Sequence, residues 1–328
     1  MDRNKLIIVS LLSIFFFIAG CLPATLQTKK ANDVVSYAGL SEIDPTKNRI
    51  ILVGDTQSTS RYEFWREKND RERQLIIKEI ARREPAFVVH LGDLTVRGSS
   101  KRYWRQFDEF HKGFRDRKIP YFPVLGNHEL YGNNKRALQN YFGRFPHLAE
   151  RRWYRLTWKN VAIILVDSNF PILTAEQIEE QSRWYVSELE KCDTDGAVEY
   201  VIVCCHEPPF TNSRAVDPNQ MVIRYFADPF VRFQKTRLFF SGHNHSYERF
   251  QRGNKFFIVA GGGGGPRHKV SIDPVKRPYK DLFPGPALRF FHFCEIEKRE
   301  DRIAFRVLRL EPDEHFTVVD PLSITQRR

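Results

Sequence analysis

Five short apolar runs in this chain each stop at a polar cluster, and the clusters carry metal-binding side chains. The runs are 50–53, 86–91, 121–125, 200–205 and 238–241. They lead into Asp55-Thr56-Gln57, Gly92-Asp93, Gly126-Asn127-His128-Glu129, His206 and Gly242-His243-Asn244-His245. Apolar runs of this length, bounded by Gly and polar residues, read as buried strands. Between them, 69–83 places Leu75, Ile76, Ile80 and Ala81 on one helical stripe. Residues 101–117 likewise space Tyr103, Phe107, Phe110 and Phe114 on one helix face. Thr174 followed by Gln177 predicts a capped helix running to Cys192. Further strands are expected at 153–158, 161–167, 256–260, 290–297 and 303–310, with 129–152 irregular.

The order βαβαβ followed by a β-rich half predicts an α/β fold. The expectation is a layered α/β/β/α sandwich, two mixed sheets packed face to face with helices outside. Ligands of open α/β sheets gather outside the carboxyl ends of strands, so the five clusters should converge there. Two carboxylates, one amide oxygen and several imidazoles form a donor set for two divalent ions. Each element alone is weak, since a Gly-Asp pair is ordinarily a turn. Their shared placement at strand ends carries the reading. The glycines before Asp55, Asp93, Asn127 and His243 are read as permitting a sharp turn. The run 261–265, all Gly, is read as a loop skirting the site without contacts, with phosphate binding by its amides as the second reading. Asp167-Ser168-Asn169 is read as structural capping.

At the amino end, Arg3 and Lys5 precede an apolar stretch over 6–19. It is shorter than the roughly 20 residues a spanning helix needs, but suits a signal-peptide core. It ends in Ile18-Ala19-Gly20-Cys21, which resembles a bacterial lipobox. That resemblance implies cleavage after residue 20 and lipidation of Cys21. The expected organisation is a signal peptide over 1–20, a lipidated tether over 21–47 and a globular domain over 48–328 that carries the five clusters. The expected location is extracytoplasmic, lipid-anchored to a bacterial membrane. Leu22 favours the outer membrane, on its periplasmic side, where two membranes exist. Cys204 and Cys205 alternate to opposite faces of a strand, so the remaining cysteines are read as buried thiols. A surplus of 52 Lys and Arg over 40 Asp and Glu favours anionic partners. The basic residues form no stripe interleaved with aromatics, so nucleic-acid binding gains no support.

As a set, the five clusters resemble the motifs of the calcineurin-like metallophosphoesterase superfamily. The continuation Ser246-Tyr247-Glu248-Arg249 is similar to the purple acid phosphatase branch, as are Glu129 after His128 and Val203 three residues before His206. The resemblance implies one metal held by Asp55, Gln57, Asp93 and His245. It implies a second held by Asp93, Asn127, His206 and His243, with Asp93 bridging. Hydroxide between the metals would attack phosphorus in line, and His128 would contact the phosphate and protonate the leaving oxygen. The implied activity is phosphate monoester hydrolysis. The alternatives are a phosphodiesterase or nuclease on the same fold, or a non-catalytic surface binding protein with a vestigial metal site.

Two residues depart from the pattern. Val96 stands where purple acid phosphatases carry the iron-binding Tyr, and where serine/threonine protein phosphatases carry the Asp that orients the catalytic His. Gln57 stands where other branches have a His. These departures imply a weaker first metal and no purple colour, with manganese, iron or zinc all fitting. Arg97, beside Val96, would grip phosphate oxygens.

Overall fold

The computed structural model describes residues 35–325. The expected signal peptide, Cys21 and the tether up to residue 34 lie outside the described residues. Among the described residues no helix is long and apolar enough to cross a membrane.

The first half alternates as expected: β1 (Arg49–Val53), α1 (Asp70–Arg82), β2 (Val88–His90), α2 (Lys101–Phe110), α3 (Lys112–Asp116) and β3 (Tyr121–Pro123). Next come α4 (Asn134–Arg144), β4 (Tyr154–Trp158), β5 (Val161–Leu165), α5 (Ala175–Thr194), β6 (Tyr200–Cys204) and β7 (Thr236–Ser241). The chain continues through β8 (Tyr247–Arg252), β9 (Lys255–Ala260), β10 (His292–Lys298), β11 (Arg302–Leu310), β12 (Phe316–Val318) and β13 (Leu322–Thr325). One sheet has the order β12-β11-β10-β1-β2-β3, with β13 also on β11, and the other β4-β5-β6-β7-β9-β8. Strands β1, β2 and β3 pair in parallel, as do β5, β6, β7 and β9, while β10 pairs antiparallel with β1 and with β11, as do β12 and β13 with β11, β4 with β5 and β8 with β9. Both sheets are therefore mixed, as the strand pattern predicts.

The strands bury both faces. Ile163, Ile202, Cys204, Leu238 and Phe240 join the core that also holds Leu52, Phe293, Ile296 and Phe305 of the first sheet. Their neighbours Ile164, Val203, Cys205 and Phe239 pack on the opposite face with Tyr185, Leu189 and Cys192 of α5. Each fully buried Leu, Ile or Phe contributes about 1.5–3 kcal/mol of hydrophobic stabilisation. Cys204 and Cys205 thus face opposite ways, and Cys192, Cys204, Cys205 and Cys294 are free thiols. Helix α5 begins as its sequence predicts: Thr174 Oγ1 accepts from Gln177 N at 3.3 Å, and Gln177 Oε1 accepts from Thr174 N at 3.0 Å.

Four expectations are corrected. The single helix over 101–117 is two, broken at His111, whose backbone leaves helical geometry (φ −91°, ψ 12°) while its ring nitrogen engages the Phe107 carbonyl at 3.0 Å. Its buried stripe runs through Trp104, Phe107 and Phe114, while Tyr103 and Phe110 stay half-buried. Trp104 wins the inward position because its indole N–H reaches the Gly98 carbonyl at 2.7 Å. The segment taken as irregular contains α4, capped by Asn133, whose Oδ1 accepts from Arg136 N at 3.0 Å. The tether is docked over its last part: Tyr37 is buried, and its N–H donates to the Arg144 carbonyl at 2.9 Å. Tyr37 joins an aromatic cluster with Phe107, Tyr121 and Phe145, which anchors the chain before β1.

Candidate metal centre

The clusters after β1, β2, β3, β6 and β7 meet in one place. The ligand-type atoms of Asp55, Asp93 and His245 all lie within 4.8 Å of one another, and so do those of Asp93, His206 and His243. Asp93 belongs to both groups. It is buried, and its Oδ1 lies 3.3 Å from His206 Nε2 while Oδ2 lies 3.8 Å from His128 Nε2. Asn127 presents Oδ1 2.9 Å from His206 Nε2, because its Nδ2 is committed to the Tyr131 hydroxyl at 2.7 Å. Asp55 Oδ1 is 3.4 Å from His245 Nε2.

Backbone carbonyls aim the imidazoles. His206 Nδ1 engages the Leu91 carbonyl at 2.8 Å, His245 Nδ1 the Pro266 carbonyl at 2.8 Å and His128 Nδ1 the Val96 carbonyl at 2.9 Å. Each bond places the proton on Nδ1 and turns Nε2 toward the centre, as metal-binding histidines require. His243 differs, with its Nδ1 facing His206 Nε2 at 3.2 Å.

The donor set fits divalent cations. Burial opposes the charge on Asp93, but His206, His128 and His243 hold its carboxyl well below the usual carboxylate range. Burial also disfavours a charged His206, yet Asp93 and Asp55 raise it to about 10. Burial and then the neighbouring His206 lower His243 to about 3. A protonated His206 thus gives the buried carboxylates a positive charge that a bound cation would replace, which is how metal sites couple to protons.

Gln57 reaches the first position with the wrong atom. Its Nε2 lies 3.0 Å from Asp93 Oδ2 and 3.1 Å from His245 Nε2, whereas its Oε1 is buried without a hydrogen-bond partner. An amide nitrogen cannot coordinate, so a cation at this position requires the amide to turn over. Arg97 is exposed and is absent from the lining of the cleft over the centre. That open cleft, about 570 Å³, is lined by Trp65, Arg66, Tyr131, Arg214, Arg267 and Lys269 besides the metal-facing residues.

Backbone geometry explains the glycines differently from the sequence. Asp55, Asp93 and His243 themselves have φ of 60°, 58° and 63°, a left-handed conformation costly for non-glycine residues. Of the four glycines before the clusters only Gly92 has a positive φ, of 91°. Gly126 is instead required by space, since a methyl there would sit 2.9 Å from Glu129 Oε2 and closer still to Asp93. The run 261–265 is likewise no free loop. Gly263 and Gly265 donate to the carbonyls of Gly54 at 2.9 Å and Asp55 at 2.8 Å, strapping the first metal-facing turn. In Asp167-Ser168-Asn169 no side chain caps the short helix that follows; Asn169 N donates to Asp167 Oδ1 at 2.8 Å, and Ser168 Oγ accepts from Glu207 N, next to His206, at 2.9 Å.

Three residues do work that sequence reasoning did not assign. Glu129 is fully buried and accepts from the backbone N–H groups of Asp93, Leu94, Thr95 and Gly126 at 2.8–3.1 Å. Burial and the nearby Asp93 push its pKa up to about 8, against the pull of those donors. Glu248 accepts from Asn212 N at 2.8 Å and from Asn244 Nδ2 at 2.9 Å, tying the His243-Asn244-His245 turn to a rim loop. The His268 ring stacks on His245, with centroids 4.4 Å apart and planes within 6°. The motif residues Glu129 and Glu248 were visible in the sequence, and His268 follows the glycine run read as skirting the site, with no role assigned to it.

Glu129→Ala should be strongly destabilising. Each buried N–H left without a partner costs about 1–3 kcal/mol, so a loss on the order of 3 kcal/mol or more is expected. Denaturant unfolding beside metal analysis checks it: stability and metal content should fall together. Unchanged unfolding would show that water satisfies these donors and that the carboxylate is dispensable.

A two-sheet α/β sandwich with a carboxylate–imidazole centre at its strand ends is the architecture of dinuclear metallophosphoesterases. The calcineurin-like phosphoesterase family model matches residues 48–247, and the chain belongs to that family. Purple acid phosphatase 1 of Ipomoea batatas is 28% identical over 152 residues, 42% of this chain and 31% of that protein. The chain thus spans under a third of that relative's length. Human tartrate-resistant acid phosphatase type 5 is 23% identical over 294 residues, 78% of this chain and 86% of that protein. The purple acid phosphatase PPD1 from yellow lupin seeds shares the fold, with a TM-score of 0.65 and 17% identity over 85% of this chain and 54% of that one.

Proposed function

We propose that this protein is a metal-dependent phosphomonoesterase, held outside the cytoplasm by a lipid on Cys21. The observation that carries the reading is the pair of three-residue groups sharing Asp93, with His128 beside it. Two cations supply Lewis acidity and an activated water to such a centre. Asp55, Gln57, Asp93 and His245 would hold one, and Asp93, Asn127, His206 and His243 the other.

The chain's own residues have distinct tasks. His128 carries its proton on Nδ1 toward the Val96 carbonyl, which keeps its Nε2 directed into the cleft. That carbonyl replaces the carboxylate that the sequence lacked, using the backbone of the substituted residue itself. Tyr131 packs on the His128 ring at 4.4 Å and restrains it. Three of the relatives are named acid phosphatases, which supports a monoester over a diester. The inward amide nitrogen of Gln57 supports the rival of a vestigial, binding-only centre.

Measuring metal content together with hydrolysis of p-nitrophenyl phosphate and its bis ester decides among these. The expected result is close to two metals per chain and preference for the monoester. Turnover of the bis ester alone would assign a phosphodiesterase. Full metal loading without hydrolysis of either would favour the binding protein.

A further inference from the structure

The cleft over the metal centre carries more positive charge than its own acids neutralise. Arg66 is engaged by Glu63 at 2.7 Å and by the Pro266 carbonyl at 2.9 Å, and Arg267 by Glu67 at 2.6 Å. Arg214 and Lys269 have no ion-pair partner among the described residues, and both are exposed on the cleft wall. They are also neighbours. Ser213 and Val270 form an antiparallel bridge, and Arg214 N donates to the Lys269 carbonyl at 2.9 Å. The two cations therefore stand opposite each other on paired segments, and the 269–270 segment is held on its other side by the Lys269–Leu288 bridge.

Like charges directly opposite on paired strands repel and destabilise the pair. A protein that keeps them there without an acid between them has left room for an external anion. The paired segments are also held in position. Ser271 N donates to the Asn212 carbonyl at 2.7 Å, and Glu248 accepts from Asn212 N at 2.8 Å and from Asn244 Nδ2 at 2.9 Å. Asn244 lies between the two metal-facing histidines His243 and His245, so the cation pair is tied to the same turn as the centre. Such anchoring reduces the ordering cost of binding.

We propose that Arg214 and Lys269 form a second anion subsite beside the metal centre, and that the natural substrate is a small ester bearing a second phosphate or carboxylate besides the scissile phosphate. The proposal rests on the phosphoesterase reading above. Arg214 offers a planar fork and Lys269 a compact charge, both suited to phosphate or carboxylate oxygens.

The test compares propyl phosphate, propane-1,3-diyl bisphosphate and 3-(phosphonooxy)propanoate as substrates of the metal-loaded full chain. Wild type is expected to show KM about 10-fold lower for one or both doubly anionic esters, a size set by charge-assisted hydrogen bonds in an open site. Whichever of the two is preferred identifies the second group. In Arg214→Ala/Lys269→Ala that preference should vanish, while kcat and KM for propyl phosphate stay at wild-type values. Arg214→Glu should reverse it. Equal KM values for all three esters in wild type, or an undiminished preference in the double variant, would overturn the subsite. If no ester is hydrolysed, the phosphoesterase reading has failed instead. Calorimetric binding of propane-1,3-bisphosphonate against propylphosphonate, to wild type and the double variant, then still reads the cation pair, by the same preference and its loss.

Discussion

Asp93→Asn is expected to empty both metal positions and abolish turnover. The change is close to isosteric, and Asn tolerates the left-handed backbone that Asp93 occupies with φ 58°. The fold should therefore survive, and the effect isolates the charge. Asp93 is the residue common to both candidate ligand groups, so its loss removes a carboxylate from each. The second position is left with two imidazoles and two amides, none of them anionic. Metal ions contribute several kcal/mol of transition-state stabilisation, so a fall of at least about 10³-fold in kcat/KM is expected. Metal analysis, phosphatase assay and thermal unfolding on the same preparation check it. Retention of both metals would show that Asp93 is a structural acid and that the bridge lies elsewhere.

His128→Ala should separate chemistry from metal binding. His128 contacts the centre only at a distance, its Nε2 3.8 Å from Asp93 Oδ2 and its Nδ1 bonded to the Val96 carbonyl. Metal content is expected to stay at the wild-type level. Proton donation by a positioned side chain is commonly worth about 10²–10⁴ in rate, and that is the expected loss for an alkyl phosphate. p-Nitrophenolate leaves readily without a proton, so the loss with p-nitrophenyl phosphate should be much smaller. An equal loss on both esters would assign His128 to phosphate binding instead of proton transfer. Loss of metal would make it a ligand.

The ligand types were legible in the sequence because a β-strand leaves little choice about where its end lies. An apolar run followed by Gly and Asp places the carboxylate at the sheet's edge whatever the surroundings, which is why Asp55, Asp93, Asn127, His206, His243 and His245 meet. Alternation likewise predicted that Cys204 and Cys205 would part. Where the prediction slipped, a contact outside the element itself had overruled the local pattern. Trp104 displaced Tyr103 from the buried stripe by reaching back to the Gly98 carbonyl in the preceding loop, a contact that helical periodicity does not encode. The run 261–265 looked free because it lacks side chains, yet that lack lets it pack under Asp55.

By itself, then, the sequence determined the α/β order, the strand-end clusters and the chemistry of their donors, all of which follow from periodicity and side-chain type. Tertiary structure alone decided the orientation of those donors. It supplied the Val96 carbonyl to His128, made Glu129 the hub of four backbone N–H groups, turned the amide nitrogen of Gln57 inward, and left Arg97 outside the cleft while seating Arg214 and Lys269 on its wall. The reason is physical: hydrogen bonds to backbone groups depend on where two distant segments pass each other, and the identity of a side chain carries no record of that path.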